Sequence, residues 1–190
     1  MIIEKGAALF NEKGIAGTSI DAVLDVTKIA KGSLYGYFAS KEELSHAIVD
    51  HLLERLIDLT SVAMNKETSA KKKLFAFFDV YKAPLAPPLQ GGCPILNFGV
   101  ESDYTDPIVR KKVKKVIQFA LDNLTAIINR GIQDKEFKPD FDAAGFALKS
   151  FTLIEGSMMV SKVLNSNKPM QQVTDMLRKE IEGHEIKPKK

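Results

Sequence analysis

The side chains best suited to binding chemistry in this sequence lie close together, between residues 31 and 41. The segment 31–38 reads Lys-Gly-Ser-Leu-Tyr-Gly-Tyr-Phe. Leu34 and Phe38 are four residues apart, so on a helix they would share a face directed at the core. The lysine, serine and tyrosine side chains around them would then point outward as hydrogen-bond donors, and Gly32 would let the backbone approach a phosphate closely. Such a surface is typical of contacts with a nucleic-acid backbone.

The positive charge of this segment is local. The chain of 190 residues carries a formal net charge of only +3, whereas residues 28–41 contain three lysines and no acid. Acidic residues flank that stretch on both sides. A nucleic acid would therefore be contacted by a small tip and not by a broad basic surface. The alternative interpretation is that the three lysines are simply solvated.

Motifs that carry enzymatic chemistry are missing from the sequence, which contains no glycine-rich phosphate loop, nucleophile elbow or paired cysteines or histidines at metal-ligand spacing. His46 and His51 are five residues apart, so on a helix they do not share a face as zinc ligands would. The single cysteine, Cys93, is interpreted as a small buried or loop residue in a reducing compartment, with a sensor thiol as the alternative. Glu101 is compatible with a ligand contact or with capping of a helix end. We predict that the protein is not an enzyme and holds no metal or cofactor.

Apolar residues recur at helical spacing along almost the whole chain, and alternation with a period of two is absent. The sequence therefore predicts an all-α protein of about nine helices. Gly14 is predicted to end the first helix, Asp106-Pro107 to begin the seventh, and Gly131 to end it. The predicted helices cover about 1–13, 19–27, 31–37, 41 onward, 70–82, 94–102, 107–129, 142–165 and 170–182, before a basic tail from Lys187 to Lys190.

The first three predicted helices are short, closely spaced and amphipathic. Thr18 and Ser40 each begin a capping-box pattern, with a carboxylate three residues later at Asp21 and Glu43. Two short helices joined by a tight turn bury little by themselves, so the first helix must cover them. This arrangement is the three-helix form of the helix-turn-helix, whose last helix enters the major groove of DNA. We predict a helix-turn-helix DNA-binding domain over residues 1–45.

The stretch from Ala7 to Leu44 resembles the N-terminal domain of the TetR family of transcription regulators. The resemblance is carried by residues 8–14 and 17–20, and above all by the run 31–44, Lys-Gly-Ser-Leu-Tyr-Gly-Tyr-Phe-Ala-Ser-Lys-Glu-Glu-Leu. It implies that a set of polar and small residues contacts DNA, with Thr18 meeting a phosphate. These implied DNA contacts are Thr18, Lys31, Gly32, Ser33, Tyr35, Tyr37 and Lys41.

Three features of the sequence qualify these implied DNA contacts. Tyr35 neighbours Leu34, so a place in the core is its alternative. Gly36 stands where the family often has a side chain that reaches a base, which leaves fewer residues for sequence readout. The sequence also begins almost at the first predicted helix, without the basic extension of many relatives.

The same resemblance implies that residues 46–190 form a helical domain that dimerises and encloses a small-molecule cavity. Apolar side chains on helices five to eight are the pocket candidates, although an aromatic stripe is also typical of ordinary core. These candidates are Phe78, Tyr81, Cys93, Leu96, Phe98, Phe119 and Phe151. The helix over 142–165 is apolar on more than one side, so one side is expected to pack within its subunit and another against a two-fold mate. The predicted dimer residues are Phe151, Ile154, Gly156, Ser157, Met158, Met176 and Leu177.

Together these features predict a cytoplasmic, homodimeric repressor that binds a palindromic double-stranded DNA operator and is released from it by an unknown small-molecule effector. No membrane partner is expected, because the apolar stretches are too short for a span and the N-terminus lacks the apolar core of a signal peptide. An activator fits the same features. The alternative from another class is a helical carrier that binds an apolar molecule and never contacts DNA.

Overall fold

The computed structural model describes residues 1–186, and within that range the chain forms nine α-helices. They span Ile2–Gly17 (α1), Ile20–Thr27 (α2), Lys31–Tyr37 (α3), Lys41–Asn65 (α4), Ala70–Tyr81 (α5), Pro94–Glu101 (α6), Pro107–Gln133 (α7), Ala143–Val163 (α8) and Lys168–His184 (α9). The prediction of an all-α fold is confirmed. The predicted basic tail, Lys187 to Lys190, lies outside the described residues.

The helices group into two compact units. The first comprises residues 1–57 and 87–116, and the second comprises 58–86 and 117–190. In the first unit α1 packs on α2 and α6, whereas in the second α5, α8 and α9 pack together. The first unit thus joins the predicted DNA-binding segment to α6 and the start of α7. The predicted domain boundary between residues 45 and 46 stays a prediction. Across the described helices, none combines the length and apolar character that a membrane crossing requires.

One or two apolar side chains from each of the first four helices form the core that positions α3. They are the residues that helical spacing directs inward, and each is no more than 1% exposed: Phe10, Val23, Leu34, Leu44 and Ile48. Burial of such side chains is the main favourable term in folding a small domain. Because α3 contributes Leu34 to this core, the orientation of its remaining side chains is fixed.

Helix α1 is interrupted at Gly14 and does not end there. Gly14 has φ 75° and ψ 174°, a backbone conformation that is essentially restricted to glycine. A further helical turn follows because Glu101 Oε2 accepts the amide of Ile15 at 2.9 Å and its Oε1 accepts the amide of Ala16 at 2.8 Å. Gly14 therefore ends the first regular stretch of helix where the sequence predicts. A carboxylate distant in sequence caps the further turn that extends α1 to Gly17.

Helix α7 also continues past its predicted end. Gly131 is a buried residue inside the helix, where a Cβ would lie 2.5 Å from the ring of Phe137. This glycine therefore permits a close side-chain contact and does not terminate the helix. The chain reverses just beyond α7, where the amides of Glu136 and Phe137 both donate to the Gly131 carbonyl, at 2.8 and 3.1 Å.

Aromatic rings form the core of the second unit. The ring of Phe141 lies edge-on to those of Phe137 and Phe146, with centroids 5.4 and 5.1 Å apart, and it stacks on His184 at 4.2 Å. Phe137 also pairs with Glu185 in an isolated antiparallel bridge. These contacts join the segment after α7 to the start of α8 and the end of α9.

Candidate nucleic-acid interface

Helix α3 buries one side and exposes an opposite side that has no side chains. Leu34 is 1% exposed. Gly32 and Gly36 each lie about 160° around the helix from Leu34, at 100° per residue. A Cβ added at either glycine would have no neighbour within 4 Å. The outermost strip of α3 is therefore bare backbone, which can approach a partner more closely than a helix with side chains.

Polar side chains border this strip on both sides. Lys31 and Tyr35 lie one turn apart on one border, and Ser33 and Tyr37 lie one turn apart on the other. Tyr35 is 45% exposed and Tyr37 is 73% exposed, so the alternative of a core role for Tyr35 is wrong. Within residues 1–186, none of these four side chains makes an internal hydrogen bond. Their donors are available to an external partner.

The turn after α3 is held by the second predicted capping box. The Ser40 Oγ accepts the amide of Glu43 at 3.1 Å, and the Glu43 carboxylate accepts the amide of Ala39 at 2.7 Å. Both bonds satisfy amides at a helix start that would otherwise lack partners. The box fixes where α4 begins and thereby places Lys41, which is half-buried, at its first residue.

The first predicted capping box is wrong by one residue. Ser19, and not Thr18, caps α2, since its hydroxyl accepts the amide of Ala22 at 3.1 Å. Thr18 is fully buried, and its hydroxyl donates to the carbonyl of Gly14 at 2.7 Å. This hydroxyl is occupied inside the fold and does not fit the predicted phosphate contact. Ser19 is exposed at the same helix start.

The charge around α3 is sparse. Residues 1–45 contain five lysines, no arginine and six carboxylates. Lys28 and Lys31 are exposed on either side of the tight turn between α2 and α3, where Lys28 adopts a left-handed conformation with φ 58°. Together with Lys41, they concentrate the positive charge at one end of the unit. The phosphates of a nucleic acid would therefore be contacted by only a few lysine side chains of each chain.

Buried amides tie α1 to α6 and to the loop before it. Asn11 is 2% exposed, and its Nδ2 donates to the carbonyls of Gln90 at 2.7 Å and Gly92 at 3.0 Å. In return, Asn97 Nδ2 donates to the carbonyl of Asn11 at 2.8 Å. Together with the contact of Glu101 with the Ile15 amide, this bond joins α6 to α1 at two points that are one helical turn apart. The capping alternative for Glu101 is thus confirmed, whereas the sequence analysis missed Asn11 and Asn97.

A second set of contacts links the start of α4 to the start of α7. His46 Nε2 lies 2.8 Å from Asp106 Oδ2, and Lys112 forms an ion pair with Asp50. Burial alone would raise the pKa of Asp106, but hydrogen bonds from the Val109 amide and the His46 ring outweigh it and hold that pKa below its ordinary value. Asp106 also caps α7, as its position before Pro107 predicts.

The residues predicted to line a ligand pocket do not share one environment. Phe78, Tyr81, Cys93, Phe98 and Phe151 are buried, Leu96 is half-buried, and Phe119 is 47% exposed. Two cavities that each lie within one unit are lined by other residues. Phe78 and Tyr81 instead join an aromatic row in α5, in which both contact Phe77, with ring centroids 6.1 and 5.3 Å apart. A pocket role for the seven residues stays a prediction.

Most of the predicted dimer residues face the core of their own unit. Five are buried there: Phe151, Ile154, Ser157, Met158 and Leu177. Gly156 and Met176 are exposed. The opposite side of α8 carries an exposed, largely apolar stripe that the prediction did not include: Leu148, Thr152, Met159, Val160 and Val163. The five buried residues already pack within their own unit and do not fit the predicted interface. The prediction chose them because α8 is apolar on both sides and its sequence does not indicate which side α9 covers.

Comparison with known proteins identifies two family models that match successive parts of the sequence. Residues 2–48 match the family model described as bacterial regulatory proteins, tetR family, and residues 70–177 match the one described as tetracyclin repressor-like, C-terminal domain. A TetR-family transcriptional regulator from Cytophaga hutchinsonii has a similar structure, with a TM-score of 0.89 and 33% identity, over 98% of this chain and 94% of that chain.

Two further proteins extend this similarity. A TetR transcriptional regulator from Chloroflexus aurantiacus J-10-FL has a TM-score of 0.92 and 33% identity, over 97% of this chain and 93% of that chain. The HTH-type transcriptional repressor DhaR of Mycobacterium sp. (strain GP1) is 24% identical over 177 residues, which cover 90% of this chain and 85% of the relative. The similarity therefore spans nearly the whole sequence and is not confined to the N-terminal helices.

Proposed function

The chain belongs to the TetR family of transcriptional regulators, and we propose that it is a homodimeric repressor that binds a palindromic operator through α3 and leaves it when a small-molecule effector binds. Repression is proposed from the similarity to the repressor DhaR. The observation that carries the proposal is the exposed side of α3, with a bare strip between two rows of donors. Because the proposed target is DNA, we also propose that the protein is cytoplasmic and is not an enzyme.

The outer side of α3 suits a major groove in shape and in chemistry. The strip at Gly32 and Gly36 lets the helix lie close to the base edges, while the hydroxyls of Tyr35 and Tyr37 on its two borders reach toward phosphates or bases. Because about three lysines serve each protomer, we expect a slope of log K against log salt of about −5 for the dimer. Sequence readout would rest on the tyrosines and Lys31.

The exposed stripe of α8 supports the dimer. Leu148, Met159 and Val163 recur along one side of the helix, and Val163 is 77% exposed. Exposed apolar side chains in a continuous row are typical of a surface that a partner covers. Gly156 lies within the same side with open space around it, so a mate's helix can approach there closely. For both copies of α3 to enter successive major grooves, a two-fold dimer must hold them roughly 34 Å apart, which is one turn of DNA.

Release by an effector needs a link between α1 and the rest of the chain, and α6 provides one. Its residue Asn97 donates to Asn11 before the Gly14 break, and its residue Glu101 accepts the amides of Ile15 and Ala16 after the break. A displacement of α6 would therefore move α1, and with it the support of α3. By thermodynamic linkage, effector and operator must then weaken each other's binding by the same factor.

The test is a DNA selection followed by a mobility-shift assay. The purified full chain selects duplexes from a random pool, and enriched sequences should be palindromic. The double variant Tyr37→Ala/Lys41→Ala should lose the shift while keeping its circular dichroism and its oligomeric state. A matched control is Tyr104→Ala/Lys111→Ala, which removes an exposed tyrosine and an exposed lysine from the same unit outside α3. Failure to enrich any sequence, or equal binding by both double variants, would contradict the proposal and favour a carrier that does not bind DNA.

A further inference from the structure

A second candidate binding site lies in the first unit, away from α3. A cleft of about 380 Å³ opens between α1, α4 and residues 88–90. This volume is within the range that is typical of small-molecule sites. None of the residues predicted from the sequence to line a ligand pocket contributes to this cleft. Nothing described so far uses its side chains.

The cleft combines an apolar floor with an edge formed by a histidine and an arginine. Its floor is formed by the buried Ala7 and the half-buried Ala8 of α1 and by the buried Leu52 of α4. His51 and Arg55 lie one helical turn apart on α4, so their side chains are neighbours on the same edge. Across residues 1–186, neither of these two makes a hydrogen bond or an ion pair shorter than 4 Å with another residue.

Residues 88–90, which line the cleft together with α1 and α4, are held to α1 by polar contacts. Leu89 and Gln90 line the cleft, and the Gln90 carbonyl accepts Asn11 Nδ2 at 2.7 Å. The Gln90 side chain in turn donates to Glu12 Oε1 at 2.9 Å. Residues 88–90 are thus fixed to α1 before any ligand arrives, and binding would not have to order them.

We propose that this cleft binds a small organic carboxylate, whose acid group contacts Arg55 and His51 and whose hydrocarbon body lies on the floor of Ala7, Ala8 and Leu52. A guanidinium fork matches the geometry of a carboxylate and can bind both of its oxygens. An inorganic anion would leave the apolar floor uncovered, so the two features together select an organic acid. Glu4, the carboxylate at the rim, has a side chain that is 72% exposed, and solvent screens its repulsion.

The proposal is tested without DNA, so its outcome is separate from that of operator binding. Benzoate and hexanoate are titrated into the full chain by isothermal titration calorimetry, with benzamide and hexanamide as uncharged probes of the same shape. We expect at least one acid to bind, with its amide about tenfold weaker or more. Arg55→Gln should weaken binding by a similar factor, whereas Arg110→Gln, which removes an exposed arginine of α7, should not change it.

A second variant tests the apolar floor and keeps both Arg55 and His51. Ala8→Met places a longer side chain on the cleft surface and should also weaken binding of the acid about tenfold. Circular dichroism and the melting temperature establish that each variant is folded. The proposal is overturned when neither acid binds at about 10 mM, when an amide binds as tightly as its acid, or when Arg55→Gln and Ala8→Met bind like the unmodified chain.

Discussion

Replacing Gly14 with alanine tests how the DNA-binding segment is held to α6. Gly14 combines a left-handed φ of 75° with an extended ψ of 174°. An added Cβ would lie 2.7 Å from Oε2 and 2.9 Å from Oε1 of Glu101. Gly14→Ala therefore strains the backbone and also expels the carboxylate that caps the amides of Ile15 and Ala16.

The expected loss of stability follows from these two effects. A non-glycine residue in this backbone region costs about 1–3 kcal/mol. Loss of the charge-assisted hydrogen bond to the half-buried Ile15 amide adds about 1–2 kcal/mol, whereas the exposed Ala16 amide can bond to water at little cost. The total of about 2–5 kcal/mol corresponds to a fall in Tm of about 4–20 °C for a chain of this size.

Thermal unfolding followed by circular dichroism measures this loss, with Gly17→Ala as the control. Gly17 is on the same helix, and a Cβ there would meet Lys13 Cβ at an ordinary 3.5 Å. A double-mutant cycle with Glu101→Ala separates the two effects, because removing the carboxylate should leave only the backbone strain of Gly14→Ala. Two results would refute the proposed role of Glu101 in holding α1. One is a Tm for Gly14→Ala within a degree or two of that for Gly17→Ala. The other is an equal loss of stability from Gly14→Ala with and without Glu101.

Three further predictions follow from the described contacts. Gly36→Ala should raise the stability of α3 by about 1 kcal/mol, because alanine favours helix over glycine, yet weaken operator binding by blocking close backbone approach. Val163→Glu places a charge in the proposed dimer stripe and should yield monomers in analytical ultracentrifugation. The pKa of Asp106 is lower in the folded state than in the unfolded chain, where it is about 3.9. The contribution of Asp106 to the free energy of unfolding should therefore be fully present above that value and be lost as the pH falls through the folded pKa. Asp106→Asn should therefore flatten the fall of Tm between about pH 5 and pH 3.

Each of these three variants has a control elsewhere in the chain. Gly183→Ala, also in open space on a helix, should leave operator binding unchanged, and equal binding by Gly36→Ala would refute the role of the bare strip. Lys114→Glu adds acidic charge on an exposed side of α7 and should leave the dimer intact. Asp103→Asn, at an exposed carboxylate, should follow the acid melting curve of the unmodified chain. If the acid melting curve of Asp106→Asn coincided with that of the unmodified chain, the proposed contribution of Asp106 to stability would be contradicted.

Local patterns were sufficient for α3 and for the start of α4. Leu34 is buried as its place on the helix predicts, and Tyr35 and Tyr37 are exposed. Phe38, predicted to share the face of Leu34, instead lies just beyond α3 in an extended conformation and is half-buried. Ser40 and Glu43 fixed the turn before α4, because capping involves residues only three apart. At Thr18 the same reasoning failed by one residue, since two adjacent hydroxyl residues can both serve as caps and the packing of α1 buried the first.

Contacts between distant residues were beyond the reach of such patterns. The sequence analysis left two roles open for Glu101, and only the packing of α6 on α1 brings it to Ile15 and Ala16. The apolar sides of α8 are similarly ambiguous, because hydrophobicity specifies burial but not the element that provides it. The predicted interface therefore included Ile154 and Leu177, which α8 and α9 bury within their own unit.

The sequence by itself determined the helices, the position of the helix-turn-helix and the outward side of α3, because these depend on periodicity and on caps within a few residues. Tertiary structure decided which side of α8 is exposed, what holds α1 at Gly14, and which side chains enclose the cleft beside Arg55. Those features depend on pairs of residues from different helices or loops, such as Asn11 and Gln90, which are 79 positions apart. No local preference encodes such pairs, since they exist only once the helices have packed.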